Sequence, residues 1–256
     1  MTLDWARPSN KLCTSTIIVL ATALIWAVGT PVHAQDISIN LNQGSGVTER
    51  AIQIIALITI LSLAPSILVM VTSFTRIVVV LSLLRTAMGV QQSPPNAVII
   101  SLALFLSAFV MAPVFSQAYD AGITPLVNEE IELDEAFERA SQPFHGFMMS
   151  HVREKDLTMF VDLAQKEQPA EAKDVSLTVL VPAFMISELR RAFEIGFLLF
   201  VPFIIIDMVV ASVLMSMGMM MLPPIIISLP FKLVFFVLVD GWALVTGSLI
   251  KSFGAG

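Results

Sequence analysis

The sequence predicts an α-helical membrane protein with one polar interruption, and three observations predict it. First, the 256 residues are 56% hydrophobic and 13% charged, with a mean hydropathy of +0.86; a soluble domain is less apolar and about 25% charged. Second, several uncharged runs approach the ~20 residues that cross a ~30 Å hydrocarbon core. Third, the formal net charge of −6 is concentrated: thirteen of the twenty acidic residues lie between Asp120 and Asp174, against five Lys or Arg. An acidic segment repels phosphate backbones, which argues against nucleic acid as a partner. The single cysteine, Cys13, leaves no intrachain disulfide and no multi-cysteine metal site.

Residues 1–34 have the form of a secretory signal peptide. Arg7 and Lys11 precede a twelve-residue apolar core, Ile17 to Val28, and Val32 and Ala34 supply the small residues at −3 and −1 for cleavage after Ala34. The alternative is an uncleaved anchor, for which the core is short. Residues 35–50 are polar and read as a flexible start to the mature chain.

Residues 51–118 form a first apolar helical region. Ala51 to Thr75 is uncharged and long enough to span, with a kink expected at Pro65. Arg76 and Arg85 bracket the apolar run Ile77 to Leu84. Nine residues apart on a helix of 3.6 per turn, they point to opposite faces. Either one of them meets a protein partner, or both are positive-inside anchors. Gln91 to Asn96 reads as a turn around Pro94 and Pro95, and Ala97 to Ser116 as a second span.

Residues 119–178 are the acidic insert. Asn128 to Ser141 is amphipathic, with Ile131, Leu133, Ala136 and Phe137 among its acids. Phe144 to Gln165 repeats the type, with Phe147, Met148, Val152, Leu157, Phe160 and Val161 as a buried stripe. His145 and His151 are six apart, the wrong spacing for one metal-binding face, and read as solvated or packing histidines.

Residues 179–256 form a second apolar region. Glu188 and Arg191 are i,i+3 neighbours and Arg190 and Glu194 i,i+4 neighbours, so the four can neutralise pairwise on one helix. Asp207, Lys232 and Asp240 stand in apolar runs, where charges are costly and face protein or water. Lys232 and Asp240, eight apart, share a face and could pair with each other; otherwise all three are pathway or subunit-contact charges. Between the apolar flanks Gly196 to Met215 and Ile225 to Ile250, Gly218 and the Pro223-Pro224 pair break the helix and set up a hairpin. Its tip is uncharged and carries Met219, Met220 and Met221. Methionine is flexible and polarizable. The chemistry alone fits either a soft plug lining a pore or filler in a buried turn.

The topology does not close as an ordinary four-span protein. With the signal cleaved the mature chain starts outside, Arg76 and Arg85 sit inside, and the acidic insert lies outside. The last hairpin then leaves Arg190, Arg191 and Lys251 outside and its inner turn uncharged, against the positive-inside rule. Part of the apolar surface is therefore expected to face protein subunits rather than lipid.

Four stretches carry a family resemblance: Pro182 to Phe197 (PAFMISELRRAFEIGF), Leu229 to Trp242 (LPFKLVFFVLVDGW), Thr72 to Arg85 (TSFTRIVVVLSLLR) and the tip Gly218 to Pro224. They closely resemble the FliP family, core proteins of the flagellar type III export gate, and the resemblance covers essentially the whole mature chain. Injectisome relatives are similar, but the signal-like segment and the acidic insert look more like the flagellar branch. The resemblance implies an all-α protein that forms a homo-pentamer and joins FliQ-like and FliR-like subunits in a helically arranged cone. The channel of that cone passes unfolded flagellar subunits across the inner membrane, and its narrowest part is a methionine gasket, which falls on Met219, Met220 and Met221 here. It also implies that much of the cone stands above the usual membrane plane.

Two other classes compete. A self-contained ion or solute transporter would use Asp207, Lys232 and Asp240 as pathway charges; inverted repeats would support it, and no convincing internal repeat is present. An intramembrane enzyme needs a nucleophile with a base, or a metal set, at depth. Both mature histidines lie in the acidic insert, and neither His-Glu-x-x-His nor Gly-x-Ser-x-Gly occurs. There is also no Gly-x-x-x-x-Gly-Lys phosphate loop, so energy would come from other components and no cofactor is expected.

Overall fold

Apolar residues at helical spacing dominate the chain, and every regular element among the described residues is a helix. The structure, a computed structural model, describes residues 47–90, 92–164, 174–219 and 221–254. The signal segment with Ala34, the polar start as far as Gly46, and Met220 lie outside the described residues. The chain divides into two units, residues 1–56 and 57–256. Of the first, only the opening of helix α1 (Val47–Val71) is described; the second holds the rest.

α1 begins at Val47, so residues 47–50 are helical rather than part of the polar start. It ends at Val71, four residues before the expected limit of the first span. Thr72 and Ser73 interrupt it: the Phe74 N–H donates to Thr72 Oγ1 (3.4 Å), and the hydroxyls of Ser73 and Ser107 bond each other at 3.0 Å. Such hydroxyls compete with the helical ladder. Helix α2 (Phe74–Ala87) then turns its face Ile77, Val80, Leu81 and Leu84 fully into the core, the i, i+3, i+4, i+7 spacing of one buried stripe.

Helix α3 (Asn96–Ala118) starts behind Pro95. It buries Ile99, Ala103, Ser107 and Met111, every fourth residue, and Ala118 at its end, and leaves Phe105 and Phe109 exposed. A single π-helical turn (Tyr119–Ile123) and the short α4 (Thr124–Val127) continue it. Helix α5 (Leu133–His151) crosses that turn at Gly122, where an added Cβ would meet the Ala136 carbonyl at 2.6 Å and the Ala140 Cβ at 2.7 Å. Only glycine lets two backbones approach so closely.

The acidic insert folds differently from its sequence pattern. α5 runs unbroken through Pro143, joining the two helices expected at 128–141 and 144–165. The break falls at Val152 and Arg153, before helix α6 (Glu154–Leu163). The stripe itself is in place: Met148 and Val161 are buried, and Phe147, Val152, Leu157 and Phe160 pack around them. Leu133 and Phe137 are exposed instead of buried.

Helix α7 (Leu177–Ser216) is a single 40-residue helix, about 60 Å long at 1.5 Å per residue. Its first half lies along α2, α5 and α6 and buries Leu180, Ala183, Phe184, Ser187, Glu188 and Ala192. Beyond Gly196 it buries only Phe203 and Leu214. The return arm is not one span from Ile225 to Ile250. It breaks into α8 (Pro224–Leu238) and α9 (Gly241–Gly254), which meet at 62°. Among the described residues three helices are long and apolar enough to cross a membrane, or four if α8 and α9 count as one broken span.

Candidate functional site: the methionine tip and the buried charges

The tip is built by a helix-ending device. Gly218 takes the left-handed conformation (φ +74°) just past the last residues of α7. The Gly218 N–H donates to the Met215 carbonyl and the Met219 N–H to the Leu214 carbonyl, both at 3.0 Å. These two bonds are a Schellman motif, which satisfies the terminal carbonyls with glycine at the left-handed position. Pro223 then holds extended backbone and Pro224 opens α8, where its missing N–H costs nothing. Gly218, Pro223 and Pro224 thus sit at the turn. Met217 and Met221 point away from the protein, 66% and 98% exposed, and Met219 is also exposed. No charged residue occurs between Asp207 and Lys232.

Below the tip the two arms are tied by a charge pair. Lys232 Nζ donates to Asp207 Oδ2 at 2.6 Å, and Ser228 Oγ donates to Asp207 Oδ1 at 2.5 Å. Lys232 is buried and Asp207 half-buried. Nζ also reaches the Ala87 carbonyl at 3.5 Å, at the end of α2 where the helix dipole favours a cation. Asp240 takes no part. It occupies the turn between α8 and α9 with φ +50° and is exposed. The break after Leu238 removes the shared helical face that its spacing from Lys232 implied.

A second pair locks α2 to α7. Arg76 Nε and Nη2 donate to the two Glu188 oxygens at 2.8 and 2.5 Å, with both side chains almost fully buried. Arg76 Nη1 donates to the Ser252 hydroxyl (3.0 Å) and carbonyl (3.3 Å), and its guanidinium carbon lies 3.7 Å from the centre of the Phe253 ring. A bidentate pair with its remaining donors satisfied is the arrangement that makes buried charges tolerable. α2, at 14 residues, is short of a span. There burial pulls the Arg76 pKa below its ordinary value; the Glu188 hydrogen bond and charge push it back, and Arg191 adds to the lowering. The guanidinium stays protonated throughout.

Glu188 therefore pairs across the fold with Arg76, not along its helix with Arg191. Arg190 and Glu194 do pair at 3.1 Å, but both are exposed. Arg85 is half-buried and donates to Asn96 Oδ1 (2.5 Å) and the Pro94 carbonyl (3.3 Å), fastening the turn between α2 and α3. His145 bonds the Val175 carbonyl at 2.8 Å; buried His151 bonds the Phe147 carbonyl at 2.8 Å, and its ring lies tilted 5.5 Å from that of Phe253. Among the described residues, no three His, Cys, Asp or Glu come together to hold a metal ion.

Four participants escaped the sequence reading. Ser228 is one turn from Lys232 on α8, a spacing that could have flagged it. Ser252 and Phe253 cup Arg76 from the chain's far end, and nothing local signals that. Asp156 is buried and accepts from Ser187 Oγ at 2.8 Å, though its surroundings in sequence look solvated.

Long apolar helices, the Arg76–Glu188 and Lys232–Asp207 pairs and a methionine-bearing hairpin define a helical membrane-type protein. The profile of the FliP family matches residues 57–249. The chain is 62% identical over 242 residues to the flagellar biosynthetic protein FliP of Caulobacter vibrioides, covering 94% of this chain and 90% of that one. It is 56% identical over 202 residues to that of Bacillus subtilis (79% and 91% covered) and 46% identical over 240 to that of Aquifex aeolicus (93% and 98%). The chain belongs to the FliP family.

Proposed function

We propose that this chain serves flagellar type III protein export as a pore-forming subunit of the export gate, passing unfolded flagellar subunits across the inner membrane of the basal body. Copies of it, five by the family resemblance, join FliQ-like and FliR-like subunits in a helical cone. Its signal is cleaved after Ala34, and the acidic insert lies on the periplasmic side. The observation that carries this reading is the tip: an uncharged turn that projects Met217, Met219 and Met221 away from the chain's own core. A turn using methionine as filler would bury it. Met219, Met220 and Met221 from several copies would meet as an apolar gasket. Flexible thioethers close on one another and part around an extended polypeptide, and a narrow apolar ring excludes ions by dewetting.

The exposed second half of α7 supports assembly, since Phe197, Leu198, Ile205, Met208 and Val209 are exposed among the described residues. The transporter reading needs Asp207 and Lys232 open to a pathway, and they close on each other instead. The test replaces Met219, Met220 and Met221 by glycine and records ion conductance and motility in the same cells. A raised leak with secretion retained is the expected result. A membrane as tight as wild type would remove the gasket role.

A further inference from the structure

We propose that the tip methionines Met217, Met219 and Met221 form an oxidation site for hydroperoxides, and that their sulfoxides open the seal until they are reduced. The site itself rests on exposure and thioether chemistry; its effect on the seal rests on the pore reading above. The methionines of this chain fall into separate environments. Met88, Met111 and Met148 are buried in the core, the last two at 0% and 1%. Met70, Met208 and Met215 lie on α1 and α7, helices long and apolar enough for hydrocarbon to cover them; Met159 is exposed on α6 in the acidic insert, away from any hairpin tip. Met217, Met219 and Met221 stand on a turn between two helix ends, with their side chains exposed.

The step is balanced with hydrogen peroxide as the oxidant. A lone pair of the thioether sulfur attacks one peroxide oxygen, the O–O bond breaks and an S–O bond forms. The departing oxygen leaves as water after taking the peroxide proton. Sulfur loses two electrons and the peroxide gains them. A thiol reductase reverses the change, forming a disulfide and water. Oxidation converts a flexible apolar side chain into a polar one. The stretch between Asp207 and Lys232 contains no charge, so the sulfoxides would be its most polar groups. A polar ring holds water where an apolar one expels it.

Two readouts test this on membranes from cells that make the full chain together with the rest of the flagellar basal body. Peptide mass mapping follows the gain of one oxygen atom under hydrogen peroxide. Met217, Met219 and Met221 should oxidise roughly tenfold faster than Met111 and Met148, because accessibility sets the rate. Equal rates overturn the site. Ion leak measured in parallel should rise with oxidation and fall again with methionine sulfoxide reductase. The Met217→Leu, Met219→Leu, Met220→Leu and Met221→Leu combination should show the same leak before and after peroxide. If that set assembles poorly, Met221→Leu alone, at the most exposed of Met217, Met219 and Met221, should blunt the rise. Oxidation of the wild type without a leak overturns the switch. In that case a leaky glycine variant leaves the pore reading standing, and a tight one removes both.

Discussion

At the scale of single residues, the charges sort by what holds them. Removing Arg76 strands Glu188 in the core, so Arg76→Ala should cost about 3–5 kcal/mol, read as a lower midpoint of thermal unfolding in detergent. Glu188→Gln should cost less, since the amide keeps part of the hydrogen bonding. Lys232→Glu places two carboxylates where Asp207 had its cation, and motility should be lost. Combining Asp207→Lys with Lys232→Asp should recover part of it, and the coupling between the two sites measures their pairing. Wild-type motility in Lys232→Glu would strike the pair from the functional site. Asp240→Asn should be neutral, because Asn tolerates the same left-handed backbone and Asp240 is exposed. The sequence marked each of these charges as unusual, since each stands in an apolar run. It did not say which pairs with which. The local rule paired Glu188 with Arg191, but the partner lies 112 positions away, and only packing of α2 against α7 brings it near.

At the scale of elements, close crossings depend on residues with no side chain. Gly122→Ala should separate the π-helical turn from α5, because the obstruction at 2.6 Å is a backbone carbonyl that cannot move aside. Overpacking of this kind costs about 1–3 kcal/mol. Gly146 provides the control. It lies on the same helix with nothing near its missing Cβ, so Gly146→Ala should leave stability unchanged or raise it by up to about 1 kcal/mol. Equal losses at both positions would show that the crossing is not the cause. Helices were legible in the sequence where apolar periodicity was strong, as in α2 and the stripe of α5 and α6. Their ends were less so. Pro143 did not divide α5, and the run from Ile225 to Ile250, which looks continuous in composition, breaks at Val239 and Asp240. Hydropathy measures what a segment buries, whereas a bend depends on the backbone of one or two residues.

At the scale of the whole molecule, the described chain covers too little of its own apolar surface. α3 hides every fourth residue and α7 hides little past Gly196. A lipid environment accounts for part of that. The ~60 Å length of α7 exceeds the ~30 Å hydrocarbon core twofold, and its first half is covered by α2, α5 and α6 of the same chain. Under the proposed gate role, a detergent-extracted particle made together with FliQ-like and FliR-like subunits should have a native mass of several copies of this chain plus those subunits. A stable monomer would return the exposed faces to lipid. The misfit with the positive-inside rule was readable in the sequence; the continuity of α7 from Leu177 to Ser216 was not, because in composition its apolar flank begins at Gly196.

The unbroken α7 also has a mechanical consequence. Its N-terminal half is clamped at Glu188, and its far end carries the methionines, roughly 44 Å away by the helical rise. A lever of that length magnifies small rotations: a tilt of about 5° at the clamp would sweep the tip by about 4 Å, near the width of one side chain. Under the proposed pore role, aperture would be governed by inclination at a distant fulcrum, and the turn itself need not change conformation. Spin labels at Ile186 and Val213, both exposed on α7, should report one narrow distance whether or not substrate is passing. A distance that broadens during export would place the flexing inside the rod, at Pro202.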